Sequence, residues 1–166
     1  MKRTSFAKMH CSLARGLEMI GDWWSPLILR DLFLNVTRFD DLIEDLGISR
    51  NLLTSRLNAL IDKGVIEREA YQRHPPRYEY RLTEAGRDLV PAILALTAWG
   101  DRWARPKQGS PILFVHKACG HQFQPQVTCS ECGELIKAET VAAVPGPGGA
   151  ARPGTRVLAR RLRDCR

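Results

Sequence analysis

Two short segments near residue 120 repeat one pattern of metal-binding side chains. HKACG (residues 116–120) and CSECG (residues 129–133) each place two ligands around two intervening residues, followed by a glycine. Zinc knuckles need this spacing, because two such ligands hold one ion only where the chain turns back, and glycine permits that turn. The pattern predicts a tetrahedral structural Zn²⁺ site with four ligands: His116, Cys119, Cys129 and Cys132, with His121 as an alternative fourth ligand.

The alternatives for these residues are a Cys129–Cys132 redox disulfide and unpaired thiols. MKRTSFAKMHC at the start lacks the apolar core of a signal peptide, and the sequence contains no apolar run of twenty residues. We therefore expect a cytoplasmic protein without a membrane span, a setting in which disulfides are rare and metal is favoured. Because the segment has little core, zinc should supply most of its folding free energy, on the order of 10 kcal/mol.

A second group of polar side chains shares one face of a predicted helix that ends near Asp62. That face has no carboxylate before Asp62, and it carries Arg50, Asn51, Thr54, Ser55 and Asn58, with Arg56 at its edge. The opposite face is the apolar stripe Leu53, Leu57, Leu60 and Ile61. Cationic, amide and hydroxyl groups in the first half of a helix suit phosphates and base edges.

A shorter amphipathic helix precedes this one. Thr37 is its expected N-cap, with Asp40 three residues later, and Gly47 is expected to end it in a left-handed conformation. Ser49 then caps the next helix. Two helices joined by so tight a turn predict a helix-turn-helix, and the alternative is a solvated helical hairpin.

Two short strands are predicted directly after the helix pair, over residues 65–71 and 77–82. The turn between them, QRHPP, carries Arg73 and His74, and Arg77 opens the second strand. A hairpin in this position is typical of a wing whose cations reach phosphates or a minor groove.

The remaining helices should build the core and an interface. One is expected from Cys11 to Gly21 and another from Ser25-Pro26, with Trp23-Trp24 packed at their junction. A long helix capped by Thr83-Glu84 is apolar over more than one stripe, which predicts cover by a second subunit. A twofold dimer would place two recognition helices in successive major-groove turns, on a pseudo-palindromic operator.

The net charge of +7 is concentrated at the C-terminus. Residues 1–110 contain 17 Lys and Arg against 14 Asp and Glu, residues 111–137 two against two, and residues 138–166 six against two. Net charge is therefore weak evidence for DNA binding, and the face of the helix carries the argument. In the Ala-, Gly-, Pro- and Arg-rich end, which is expected to be a solvated basic tail, residues 144–153 are expected to be disordered, and residues 157–162 have the composition of a short basic helix.

The expected fold is mainly α with a small β-wing. A winged helix-turn-helix domain covers residues 11–105, a zinc-ribbon-like knuckle module covers residues 111–137, and a low-complexity tail covers residues 138–166.

The chain resembles the HxlR-type winged-helix regulators, relatives of the MarR-like repressors. The resemblance covers about residues 11–104 and rests on ordered motifs: GDWW, LILR, RFDDL, IS, LTSRL, GVI, PPRYEY and LTEAG. It implies a dimeric bacterial transcription factor on double-stranded DNA. The DNA-contacting candidates are Arg38, Ser49, Arg50, Asn51, Thr54, Ser55, Arg56, Asn58, Arg73, His74 and Arg77.

The resemblance also implies a role for Cys11, because members of that family often carry a cysteine at this place, and in some it senses electrophiles or oxidants. Cys11 is thus a candidate thiol switch, with Lys8, His10 and Arg15 as cationic neighbours in sequence. The alternative is a small buried apolar residue at the start of a packed helix.

The expected function is sequence-specific DNA binding by a dimeric regulator that responds to a thiol-reactive or small-molecule signal. The alternative is a zinc-dependent protein-interaction or redox module in which the winged helix mainly dimerises. An enzyme is not expected, since the sequence shows no catalytic triad, carboxylate pair at useful spacing or phosphate-binding glycine loop.

Overall fold

The structure is a computed structural model that describes residues 5–164. The helices are α1 (Ser12–Ile20), α2 (Trp24–Phe33), α3 (Phe39–Leu46), α4 (Arg50–Asp62), α5 (Glu84–Trp103) and α6 (Leu158–Asp164), with a 3₁₀ turn at Ala138–Thr140. The strands are β1 (Ile66–Arg73), β2 (Pro76–Leu82), β3 (Phe114–Val115) and β4 (Gln122–Phe123). The predicted mainly helical chain with a small two-stranded wing is confirmed.

The helix boundaries follow local capping, with two corrections. Gly47 ends α3 in the left-handed region (φ 63°), and the Ser49 hydroxyl accepts from the Leu52 N–H, as predicted. The expectation of Thr37 as cap of α3 is wrong, because the N-cap is Arg38. The start of α2 at Ser25 is also wrong: the Asp22 carboxylate accepts from the backbone N–H groups of Trp24 and Ser25, which starts the helix earlier.

The core of the helix-turn-helix is aliphatic. Its fully buried apolar side chains come from α2, α3, α4 and β1: Ile28, Leu29, Leu42, Leu53, Leu57, Leu60 and Ile66. The expected packing of Trp23 is wrong, since its side chain is 92% exposed beyond the Asp22 cap. Leu27 and Phe33 are also exposed, because Ile28, Leu29 and Leu32 form the buried face of α2.

The wing is an antiparallel pair, β1 with β2, that runs from Ile66 opposite Leu82 to Arg73 opposite Pro76. The register shifts between Ala70 and Gln72, which is a bulge. A third segment joins its edge, because Tyr80 N–H donates to the Thr37 carbonyl at 2.9 Å. The wing is thereby tied to the residues that precede α3.

Glycine at position 86 is required where α5 starts. A Cβ there would lie 2.3 Å from the Val65 carbonyl oxygen. The Thr83 hydroxyl lies beside the same carbonyl at 2.9 Å and accepts from the Gly86 N–H. The first turn of α5 is therefore packed directly on the start of β1.

The described residues form two compact units. One contains the chain up to Arg87 together with the segment from Ala142 onward, and the other is Asp88–Val141. No helix within residues 5–164 is long and apolar enough to cross a bilayer.

The C-terminal segment differs from the expectation of a disordered tail. It belongs to the same unit as α1, and the Pro153 carbonyl accepts from the His10 N–H at 2.7 Å. Its own turns are closed by hydrogen bonds, including Gly149 N–H to the Gly146 carbonyl at 2.8 Å. Backbone pairing and contact with the N-terminal segment order a composition that is usually solvated.

Candidate nucleic-acid interface

The first half of α4 presents an open polar face. Leu53, Leu57 and Leu60 anchor the helix in the core. The residues on the other side are all exposed: Arg50, Asn51, Thr54, Ser55 and Asn58. Within residues 50–61 the helix has no carboxylate, so this face offers cationic, amide and hydroxyl groups and can receive an anionic duplex.

Two contacts orient the Arg50 side chain at the start of this face. Its guanidinium contacts the Asp40 carboxylate at 2.7 Å and lies over the Phe39 ring, 5.6 Å from the centroid. Both charged side chains are about 70% exposed, at 69% and 71%. An exposed pair is worth at most about 1 kcal/mol, so Arg50 can exchange Asp40 for a phosphate at small cost.

Arg56 differs from the other α4 candidates. Its side chain is 30% exposed and its guanidinium pairs with the Asp22 carboxylate, whose side chain is 16% exposed. Asp22 also caps α2, so the pair joins α4 to the beginning of another core helix. Arg56 therefore lies at the edge of the open face and holds the scaffold together. Sequence reasoning missed Asp22, because no local spacing connects it with Arg56.

The wing carries further basic side chains. Arg73, His74 and Arg77 are exposed at the tip of the hairpin. Arg38 lies lower on the wing, 3.3 Å from the Glu79 carboxylate and 5.0 Å from the centroid of the Tyr71 ring. This stacking fixes the direction of the Arg38 side chain.

A cleft of about 410 Å³ lies between the wing and the start of α4. Arg38, Arg50 and Arg77 line it, together with Asp40 and Asp41. The structure thus brings wing and helix candidates, far apart in sequence, to one site.

The predicted zinc ligands lie in two turns of similar geometry. His116 Nδ1 and Cys119 Sγ are 3.4 Å apart. Gly120 and Gly133 both have left-handed backbones, with φ of 71° and 74°. In each turn the glycine N–H donates to the carbonyl of the first ligand residue, at 2.8 Å and 2.9 Å. Each pair of predicted ligands therefore lies in a tight, glycine-ended turn, as in a zinc knuckle.

Short strand pairs flank both turns. Phe114 pairs with Phe123 around the first turn, and Thr128 with Leu135 around the second. The backbone N–H of Cys132, followed by that of Glu131, lowers the pKa of the Cys129 thiol. Within residues 5–164 no three His, Cys, Asp or Glu side chains gather closely enough for a metal ion, so the structure brings together the members of each turn but not the full set of four.

Cys11 is the N-cap residue of α1 and is half-buried. A Cβ added at Gly154 would lie 3.2 Å from the Cys11 Cβ, so the C-terminal segment passes directly over this cysteine. The cysteine thus lies beneath the segment that sequence composition had assigned to solvent.

Part of the chain matches a known protein family. Residues 19–108 match the model of the HxlR-like helix-turn-helix family. The chain is 47% identical over 137 residues to the uncharacterised HTH-type transcriptional regulator Rv3095 of Mycobacterium tuberculosis (strain ATCC 25618 / H37Rv), covering 82% of this chain and 87% of that protein. That alignment is longer than the 110 residues before Pro111, so it continues into the knuckle module.

Two solved structures share the fold. PA1607, described as a candidate transcription factor, superposes with a TM-score of 0.74 at 33% identity, covering 86% of this chain and 100% of that chain. The redox regulator HypR in its reduced form superposes with a TM-score of 0.51 at 31% identity, covering 55% of this chain and 92% of that chain.

The exposed acid-free face of α4, the cationic wing beside it and these similarities agree. The chain therefore belongs to the HxlR-like helix-turn-helix family and is a DNA-binding transcriptional regulator.

Proposed function

We propose that this protein is a cytoplasmic homodimer that binds a pseudo-palindromic operator sequence-specifically, with the first half of α4 in the major groove. The observation that carries the proposal is the exposure of Asn51, Thr54 and Ser55 on a helix held rigidly by Leu53 and Leu57. Amide and hydroxyl groups on a fixed helix suit base edges, which are the source of direct sequence readout.

The basic side chains have different proposed roles, according to their positions in α4 and the wing. Arg50 is at the start of α4, where it exchanges Asp40 for a phosphate. Arg73, His74 and Arg77 on the wing reach the flanking backbone or minor groove, and Arg38 supports them from the wing edge. The cleft between them is lined by Arg38, Arg50 and Arg77, whose guanidinium groups suit the duplex backbone.

The support for a homodimer comes from α5. Leu96, Trp99 and Trp103 are 58%, 59% and 66% exposed and recur at helical spacing on one face. Gly100 lies on the same face with nothing within 4 Å of the position of its Cβ, so a second helix can approach closely. A second copy of the chain is the natural cover for an apolar stripe of this kind.

Fluorescence anisotropy with the duplex upstream of the protein's own gene tests this function. We expect salt-sensitive binding that a scrambled duplex weakens, and Asn51→Ala should cost about 1–3 kcal/mol on the operator and little on the scrambled duplex. Arg105→Ala removes a positive charge at an exposed position after α5. This control should weaken binding to both duplexes slightly and equally, because it removes only nonspecific attraction to phosphate. Equal affinity of wild type for both duplexes would instead favour a protein-interaction role for the winged helix.

A structural Zn²⁺ in the knuckle module is part of the proposal, with His116, Cys119, Cys129 and Cys132 as ligands and His121 as the substitute. The matching turn geometry of the two glycine-ended pairs and their flanking strand pairs support it. The ion would draw the two turns together, and a closed set of four protein ligands suits a structural role.

A thiol response at Cys11 is the last element of the proposal. Its support is the similarity to the redox regulator HypR and the half-buried position of Cys11 at the start of α1. Operator release under diamide should be lost in Cys11→Ser. Equal release by wild type and Cys11→Ser would remove Cys11 as the sensor.

A further inference from the structure

The C-terminal segment closes a cavity of about 650 Å³ against the start of α1. Two contacts hold it there. The His10 ring nitrogen Nε2 contacts the Gly148 carbonyl at 2.5 Å, and the His10 N–H donates to the Pro153 carbonyl at 2.7 Å. Sites for small organic ligands in proteins have about this volume.

The walls of the cavity are mainly apolar. Pro147, Leu158 and Leu162 come from the C-terminal segment, where glycines and alanines fill the spaces between them. Cys11 and Ser12 line the cavity at the start of α1. A ligand must therefore have a compact apolar body.

Among the described residues, the charge of the lining has one sign. Arg15 lines the cavity, and no Asp or Glu of the described part of the chain does. Residues 142–162 also contain four arginines and no carboxylate. The first turn of α1 has no acidic residue, and its cap makes no side-chain hydrogen bond, so the helix itself supplies no negative group at its positive end. The ligand must therefore be an anion.

We propose that this cavity binds a small organic acid, with its carboxylate on Arg15 at the start of α1 and its apolar body against Leu158 and Leu162. The site needs both ends of the chain, because α1 supplies the charge and the C-terminal segment supplies the apolar wall. Binding then fastens the C-terminal segment to α1.

The test uses the full-length protein with two probes of one shape, naphthalene-2-carboxylate and naphthalene-2-carboxamide. By isothermal titration calorimetry we expect the carboxylate to bind at least tenfold more tightly than the amide, and Arg15→Gln to remove that difference. Arg160→Gln, the same change at an exposed α6 arginine outside the lining, should alter the affinity less than twofold. Equal losses in the two variants would mean unspecific attraction to a basic chain and would overturn the proposal.

Cys11 supplies a second readout in the same samples. Saturating carboxylate should slow the alkylation of Cys11 by iodoacetamide at least fivefold, followed by peptide mass spectrometry. The exposed thiols of Cys119 and Cys132, which lie outside the lining, should react at an unchanged rate. Unchanged alkylation of Cys11 at saturation, or no measurable binding of the carboxylate, contradicts the site.

Discussion

Asp22 has two sets of partners in the folded chain, and both affect how α4 is presented. One carboxylate oxygen caps α2 and the other pairs with Arg56. Arg56, a DNA-contacting candidate from the sequence, is therefore expected to act mainly by positioning α4. The exposed polar side chains beside it, of which Asn51 is one, remain available to DNA.

Arg56→Ala should lower the free energy of unfolding by about 1–3 kcal/mol, because it leaves the partly buried Asp22 carboxylate without its charged partner. Urea denaturation measures this change. Operator affinity should fall by the same factor on cognate and scrambled duplexes, in contrast to Asn51→Ala. A folded Arg56→Ala of unchanged stability that loses only cognate affinity would restore Arg56 as a base contact.

Gly86→Ala should destabilise the protein by about 1–3 kcal/mol, because its Cβ would meet the Val65 carbonyl oxygen at 2.3 Å. Gly16→Ala is the matched control in α1, where nothing lies within 4 Å of the added methyl group. That variant should gain about 0.5–1 kcal/mol from helix propensity. Chemical denaturation measures the free energy of unfolding of both variants. Equal changes in the two variants would contradict the close packing at Gly86.

Asp31 predicts a dependence of stability on pH. Burial raises the pKa of this carboxyl above its usual 3.8, with Arg30 opposing the shift. The native state then holds the proton more tightly than the unfolded state, so the stabilisation is fully present below pH 3.8 and is lost as the pH rises through the folded pKa.

Relative to Asp31→Asn, the unfolding free energy of wild type should therefore fall as the pH rises above 3.8. Urea titrations at several pH values measure the difference, and Asp41→Asn on the exposed face of α3 controls for the loss of one negative charge. A wild-type advantage that grows with pH would reverse the sign and refute the argument.

At the scale of elements, each part of the interface is stiffened by a neighbour. The edge segment at Thr37 and Arg38 joins β2, and Thr83 and Gly86 pack the start of α5 on β1. The two knuckle turns have only short strand pairs behind them, of two residues in one case and an isolated bridge in the other. A metal cross-link would supply the rigidity that so few contacts lack.

Zinc content measured by ICP-MS should be one ion per chain in metal-replete protein, and Cys119→Ser and Cys132→Ser should each abolish tight binding. Cys11→Ser, outside the module, should keep the ion. Comparing His116→Ala with His121→Ala identifies the fourth ligand. Wild-type protein that contains no zinc would remove the metal from the proposal.

At the scale of the whole molecule, the unit that contains α4 and the wing has the exposed acid-free face of α4, and α5 has an apolar stripe that is exposed among the described residues. An operator that spans two half-sites requires two copies of α4, about 34–36 Å apart along the duplex. A second copy of the chain packed on the stripe would bury its apolar side chains and would also supply the second α4.

Trp99→Lys should convert the dimer to a monomer and weaken operator binding, because it places a charge in the centre of the apolar stripe. Size-exclusion chromatography with light scattering measures the mass. Trp23→Lys changes a tryptophan that is 92% exposed outside α5 and should leave the mass unchanged. A monomeric wild type at micromolar concentration would end the dimer proposal.

The sequence by itself determined the features that depend on neighbours one to four positions apart. These are the apolar stripe of α4 at Leu53 and Leu57, the caps at Gly47 and Ser49, and the alternation that builds the hairpin. Helix and strand periods repeat locally, so residue spacing is enough to predict them. The family followed from the same ordered motifs.

Only the tertiary structure decided which distant groups meet. It paired Arg56 with Asp22, left Trp23 exposed, and laid Gly148 on His10, 138 positions away in sequence. Composition predicted a solvated tail because glycine, proline and arginine bury little surface, and such segments lack a periodic signal. Contacts of this kind depend on the packing of the complete fold, and no local pattern encodes them.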